Sequence, residues 1–469
     1  MERNQDASRR PWVHKTATWT AAATLSLTAL LAGCGGGNTG NTENAAGGGG
    51  GTNNGVIELK LWHAMGGVPG QALQHIVDDF NKSHPNIHVT AVYQGQYDDE
   101  FNKWKATQGQ GGKDGPNIMQ VYDIGTKFMI DSQDIVPMQD FIDQSHFDIS
   151  QLEPNILGYY SVGGKLYSMP FNSSQPVLYY NKEMFKDAGI TEPPKTYDEV
   201  LADAKKLTKK GPDGKVTVYG IGLATYGWFF EQMLATQGAY YVDHDNGRTG
   251  TATQAVFNGP EGLKIVNWWK SLYDAGVDLN LGSVTSQTQN AFLAGKCAMI
   301  IDSSGIYGNL VKGAKGKFEV GIGPLPRPAG ATGGTIIGGG SLWITKDQSK
   351  EQQEAAWEFV KFAASPQEQA YWTETTGYFP ITKAVYDDPG FKDWLKQYPD
   401  FQVAVDQLHS SKLTYATQGG LMGVFPQARQ IVQDMLQAVL LGKQQPQPAL
   451  DDAAKKVTDA IKNYNLTVG

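Results

Sequence analysis

The chain has 469 residues, long enough for two domains or one large one. Apolar residues make up 40% and charged residues 18%, the proportions of a globular protein, and the net charge of −8 argues against a nucleic-acid partner held by bulk charge. Aromatics reach 11%, with 11 Trp and 21 Tyr, residue types that fill cores and also stack on ligands.

At the N-terminus, Arg3, Arg9, Arg10 and Lys15 precede an apolar run over 17–31. The run is too short for a stable membrane-spanning helix, which needs about 20 apolar residues, and has the size of a signal-peptide core. It ends in LAGC, 31–34, which resembles the lipobox of bacterial lipoproteins, whose cysteine is diacylated and becomes the new N-terminus. The alternative is an ordinary secretory signal cut nearby. SRRPWVHK, 8–15, is similar to a twin-arginine export signal with Trp12 where Phe is usual, so Sec and twin-arginine routes both stay open. The Gly-, Asn- and Thr-rich run over 35–55 buries too little apolar surface to offset ordering entropy. The expectation is a signal peptide over 1–33, lipidation at Cys34 and a flexible tether over 34–55, with the body outside the cytoplasm and held to the membrane by lipid. Cys297 is then an unpaired, buried small hydrophobe.

The body opens on VIELKLWH, which alternates Ile57, Leu59, Leu61 as a half-buried strand does. GQALQHIVDDFNKSHP places Leu73, Ile76, Val77 and Phe80 at helical spacing, and Pro85 closes the helix. NIHVTAVY alternates again, so strand, helix, strand with short connections predicts a βαβ unit and a parallel sheet. NIMQVYDIG predicts a strand ending at Asp123. GPEGLKIVNWWKSLYDAG carries Pro260 early and Gly276 late, the asymmetry of a helix. GKCAMIIDSSG predicts a strand running into a polar loop at Asp302. SKEQQEAAWEFVKFAASP predicts a helix capped by Ser349, with Ala356, Phe359, Val360 and Ala363 on its apolar face. The C-terminal third reads as mainly helical. Ligands of α/β sheets gather at the carboxyl ends of strands, and YDIG, DSSG and IIGGGS sit at such ends.

Catalysis finds little support. HExxH, GxxxxGK[ST] and GxSxG are all absent. His84 and His88 have Pro85 between them and do not share a helical face, so no metal site is expected. DHDNG, 243–247, lacks the later Glu of a calcium loop and reads as a turn. The Ser173-Ser174 pair has no local signature of a nucleophile, which needs a base within hydrogen-bond reach.

LWHAMGG, IMQVYDIGTKFM, MPFNSSQPVLYYNKEMFKDAGI, PPKTYDEV, GKCAMIIDSSG, IIGGGSLWI, TGYFPITKAVYDDP and PQARQIV follow in this order. Together they resemble the extracytoplasmic substrate-binding proteins of ABC importers, and within them the glycerol-3-phosphate and glycerophosphodiester binders. The resemblance runs from about residue 56 to the C-terminus. It implies an α/β, two-lobed periplasmic-binding-protein fold of type II-like topology, with the ligand in a cleft at the hinge. Lobe 1 is expected over 56–170 and 300–345, lobe 2 over 171–299 and 346–469. It also implies no enzyme activity, no cofactor, a phosphorylated glycerol ligand, permease subunits as partners and a monomer.

The resemblance places the ligand on Tyr97, Asp123, Ser174, Ser304, Gly339, Tyr378 and Arg429, with Trp228 in YGWFFEQ added. A phosphate takes N–H and O–H donors and a guanidinium that binds two oxygens at once. Arg429, Ser174, Ser304 and the Gly339 backbone offer these, Asp123 accepts from glycerol hydroxyls, and Tyr97, Trp228 and Tyr378 stack or face an ammonium. Relatives carry Glu where this chain has Asp123, one methylene longer, and Gly-Gly-Ala-Ser where it has GGGS. Taken singly, Tyr378 beside Gly377 plugs a turn and Ser304 caps a helix. One Arg against one Asp suits a phosphodiester of charge −1, or zwitterionic glycerophosphocholine, better than dianionic glycerol 3-phosphate. An oligosaccharide binder, which needs no Arg, and an extracytoplasmic phosphodiesterase are the competing readings.

Overall fold

The computed structural model describes residues 52–53, 55–107 and 115–468. The signal peptide, Cys34 and all but the end of the tether lie outside the described residues. The strands, in chain order, are β1 (Thr52–Asn53), β2 (Val56–His63), β3 (Ile87–Tyr93), β4 (Ile118–Tyr122) and β5 (Ile135–Val136). They continue with β6 (Met169–Ser174), β7 (Pro176–Asn181), β8 (Lys209–Lys210), β9 (Val216–Gly222), β10 (Cys297–Ser303), β11 (Val320–Gly323) and β12 (Gly338–Thr345).

Two sheets organise the body. The first runs β1-β2-β4-β12-β5, with β3 added on β2 and β6 on β12. The second runs β8-β9-β10-β7-β11. The expected βαβ unit is present: β2 and β3 pair in parallel around the helix Gly67–Ser83, which buries Leu73, Ile76, Val77 and Phe80. The helix Lys350–Ala363 carries a capping box between Ser349 and Gln352 and buries Ala356, Phe359, Val360 and Ala363, as its periodicity predicts. Pro260–Asp274 is a helix with Pro in its first turn, also as predicted. The segment Asp243–Gly247 is a left-handed turn, with His244, Asp245 and Asn246 at φ of 52°, 53° and 62°.

Three expectations are corrected. The end of the tether is not free: β1 pairs antiparallel with β2, Asn53 opposite Val56. Gly55, just before β2, takes a φ of 82°, which glycine adopts without strain. The lobe boundaries also move. Of 300–345, only β12 joins the first sheet; β10 and β11 pair with β7 in the second. The helices Lys350–Ala363 and Pro366–Thr376, expected in lobe 2, pack on the first sheet and on Gly67–Ser83. The chain crosses between sheets directly from β6 to β7 through Gln175, which is fully buried. Every residue of the two strands except Tyr180 is buried, so there is no alternation to mark a change of sheet.

Cys297 is unpaired and buried, and burial pushes its thiol up to about 12. Among the described residues no helix is long and apolar enough to cross a membrane.

Candidate functional site

A cavity of about 540 Å³ opens where strand ends from both sheets converge, a size usual for small-molecule sites. Tyr97, Asp123, Ser174, Trp228, Gly339, Tyr378 and Arg429 all line it. Ser304 does not. It is fully buried, its N–H donates to the Gln175 carbonyl at 2.8 Å, and Ser303 and Gly305 on either side reach the cavity instead. Two hollows elsewhere, of about 810 and 750 Å³, contain none of these residues. Convergent buried charge, rather than size, marks the site.

Asp123 follows β4 in a short 3-10 turn and is 4% exposed. Arg429 comes from the helix Phe425–Leu440 and is 5% exposed. Their Nη2–Oδ2 distance is 3.5 Å, so a strand end of the first sheet meets a helix that packs with those of the second. Glu231, on the helix Gly227–Ala235, binds the same guanidinium in a fork, Nε to Oε1 at 2.7 Å and Nη2 to Oε2 at 2.8 Å. Arg429 Nη1 donates to the Tyr226 hydroxyl at 3.2 Å, and the guanidinium lies 5.4 Å from that ring's centre.

This corrects the expected balance of one Arg against one Asp. The cluster holds two carboxylates and one cation. Burial pushes both Asp123 and Glu231 above the usual carboxylate range, and Arg429 pulls each partly back. Burial works against the charge on Arg429, but Glu231, Tyr226 and Asp123 more than offset it and hold the guanidinium protonated. Glu231 sits in the motif YGWFFEQ with Trp228; a carboxylate on a helix that is apolar apart from Gln232 is the signal that could have singled it out.

Tyr97 is held by a relay. Ala64 N–H donates to Gln120 Oε1 at 3.0 Å, Gln120 Nε2 to Asn172 Oδ1 at 2.8 Å, and Asn172 Nδ2 to the Tyr97 hydroxyl at 2.9 Å. Its ring stacks on Tyr122 at 5.3 Å, and Tyr378 stacks on Trp372 at 5.6 Å. Trp228 is buried with no hydrogen-bond partner on its indole N–H among the described residues, so this cavity residue has a donor left over. Among the described residues, no group of three or more His, Cys, Asp or Glu is placed to hold a metal ion.

Gly339 is glycine for a backbone reason. Its φ is 97°, it faces Ser173 across the β12–β6 pairing, and the register shifts one residue later. A Cβ there would lie 1.7 Å from the Asn172 carbonyl oxygen. Gly339→Ala is therefore expected to lower stability by about 3 kcal/mol or more. An unchanged thermal denaturation midpoint for that variant would show that the two strands can part freely here.

The family model described as bacterial extracellular solute-binding protein matches residues 75–402. The sn-glycerol-3-phosphate-binding periplasmic protein UgpB of Escherichia coli O1:K1 is 34% identical over 419 residues, 87% of this chain and 93% of that protein. UgpB of Yersinia pseudotuberculosis is 35% identical over 417 residues, with the same coverage, 87% and 93%. Among solved structures, UgpB from Mycobacterium tuberculosis in complex with glycerophosphocholine superposes with a TM-score of 0.74 at 22% identity, covering 87% of this chain and 99% of that one. The GacH receptor of Streptomyces glaucescens, solved unliganded and with acarbose, gives 0.72 at 22% identity, covering 86% and 98%. These structures share the two-lobed α/β fold.

Proposed function

The chain belongs to the bacterial extracellular solute-binding proteins, a family of transport proteins, and from that premise we propose that it binds glycerophosphodiesters, glycerol 3-phosphate or both outside the cytoplasm and delivers them to the permease of an ABC importer. The observation that carries the reading is Arg429: a buried guanidinium, the only one among the described residues of the cavity wall, bound in a fork by Glu231 and in contact with Asp123. The second N–H of Arg429 Nη1, whose first goes to Tyr226, supplies a charged donor for a phosphate, and Ser174 adds a hydroxyl at the end of β6. Ser173-Ser174 is thus a grip and not a reactive centre. A lipid anchor on Cys34 and work as a monomer belong to the same proposal.

With two carboxylates beside one guanidinium, the cluster carries a formal charge of −1 when both are ionised. An extra negative charge on the ligand, about 8 Å away at an effective dielectric near 20, costs about 2 kcal/mol. Glycerophosphocholine should therefore bind at least about tenfold more tightly than glycerol 3-phosphate. Calorimetric titration of the purified protein with these two and with maltose tests this. Saturable binding of either phosphate compound without maltose supports the importer reading, and tighter binding of glycerol 3-phosphate would remove the charge argument. The excess of carboxylates and the wall of Tyr97, Trp228 and Tyr378 favour a second reading, an oligosaccharide binder; maltose binding alone would establish it.

A further inference from the structure

Another part of the same cavity wall carries a negative charge with no partner. Asp302, next to last in β10, is 3% exposed and lines the cavity. Its Oδ2 accepts from Gln289 Nε2 at 2.9 Å and its Oδ1 from the Ser303 N–H at 2.7 Å. Both donors are neutral. Thr285, Ser286, Ser303 and Asn309 line the cavity with it, and among the described residues the only Lys, Arg or His of the cavity wall is Arg429, which is already bound to Glu231 and Asp123.

No Lys, Arg or His pairs with Asp302 among the described residues. A buried carboxylate without a counter-charge costs several kcal/mol, and packing alone does not require it. Asparagine has the same shape and could still accept one of the two hydrogen bonds. Gln289 fixes the carboxylate's orientation from the helix Thr285–Leu293. A carboxylate oxygen accepts more than one hydrogen bond, so both oxygens retain capacity toward the cavity.

We propose that Asp302, oriented by Gln289, is the subsite for a cationic head group, so that the preferred ligands are phosphodiesters bearing an ammonium. The phosphate goes to Arg429 and the ammonium to Asp302. This rests on the phosphodiester reading above and adds to it a choice among head groups. Burial pushes the Asp302 carboxyl up to about 6, with its hydrogen bonds from Gln289 and Ser303 pulling the other way. The titratable groups that feel its charge are the phenols of Tyr179 and Tyr378, both raised by burial and neutral. Preference for an ammonium should accordingly fade as pH falls below about 6.

The test compares the full protein with Asp302→Asn, titrated with glycerophosphocholine, glycerophosphoethanolamine and glycerophosphoglycerol, whose head group is uncharged. The wild type should bind the two ammonium compounds at least about tenfold more tightly than the third. In Asp302→Asn that ratio should fall toward one, through weaker binding of the ammonium compounds. Loss of a buried unpaired charge should leave the variant's melting temperature at pH 8 no lower than the wild type's, which establishes that it folds. If the wild type binds all three alike, or if Asp302→Asn keeps the discrimination, the subsite assignment is overturned while the phosphodiester reading stands. If none binds, that reading fails and this inference with it.

Discussion

Arg429→Ala is expected to weaken binding of every phosphorylated ligand by about 10- to 100-fold, through loss of a charge-assisted hydrogen bond that contributes about 1.5 to 3 kcal/mol. The effect has two sources. The phosphate loses the only cationic partner that the described residues of the cavity offer. Asp123 and Glu231 also lose the charge that lies between them, so a cluster of −1 becomes one of −2. Burial already raises both carboxyls, and without the opposing charge of Arg429 they would rise further. Breaking a buried pair from one side costs about 3 to 5 kcal/mol, so chemical denaturation should show a loss of stability of that order. Arg429→Lys separates the two: it restores a charge beside the carboxylates but not the planar fork to Glu231, and should recover part of the stability and, with no guanidinium held in place by Glu231, little of the affinity. A sugar-binding cavity would keep its ligand in Arg429→Ala. Glycerophosphocholine affinity within about threefold of wild type would remove Arg429 from the phosphate site.

A second large effect is expected at a residue that does not line the cavity. Asp278 is 5% exposed; its Oδ1 accepts from the Leu223 N–H at 3.0 Å, while its Oδ2 is buried with no hydrogen-bond partner. Burial pushes its carboxyl from 3.8 up to about 7, the Leu223 hydrogen bond opposing. The folded protein therefore holds this proton more tightly than the unfolded chain does. Below about pH 4 both states are protonated and the group costs nothing. Between about 4 and 7 the unfolded chain gives up its proton first, and stability falls as pH rises; above 7 the whole cost is present. A shift of roughly three pH units corresponds to about 4 kcal/mol. Asp278→Asn keeps the acceptor for Leu223 and removes the charge. It should be more stable than wild type by about 2 to 4 kcal/mol at pH 8, allowing for an amide N–H left without an acceptor, and about equal near pH 4. Urea denaturation at the two pH values checks it, and a difference independent of pH would mean that Asp278 is not the titrating group.

Local patterns carried much of the fold. Leu73, Ile76, Val77 and Phe80 define one helix face, and Ser349 with Gln352 caps another helix. Both signals lie within a few residues of chain. What failed was long-range. β10 reads as a buried strand from its sequence, but its partner β7 lies more than a hundred residues away, and hydrophobicity alone does not say which sheet it joins. The site behaved the same way. Motif resemblance led to seven residues that line one cavity, and missed Ser304 by one position on either side. Glu231 escaped because its role is fixed by Arg429, 198 residues away. Asp302 stood in a quoted motif, yet what distinguishes it is the lack of a cationic partner in three dimensions.

The position of β12 dictates an order of assembly. That strand pairs with β4, β5 and β6 and so completes the first sheet, yet it lies at 338–345, after every strand of the second. A chain emerging from its N-terminus has all five strands of the second sheet by residue 323, while β4, on one edge, and β5 and β6 still wait for β12. The sheet that starts first therefore finishes last. A chain released between 323 and 338 would carry one finished sheet and three strands with bare edges, the kind of surface on which chains add to one another. Protection of the nascent polypeptide until residue 345 has emerged is thus a demand of the topology itself.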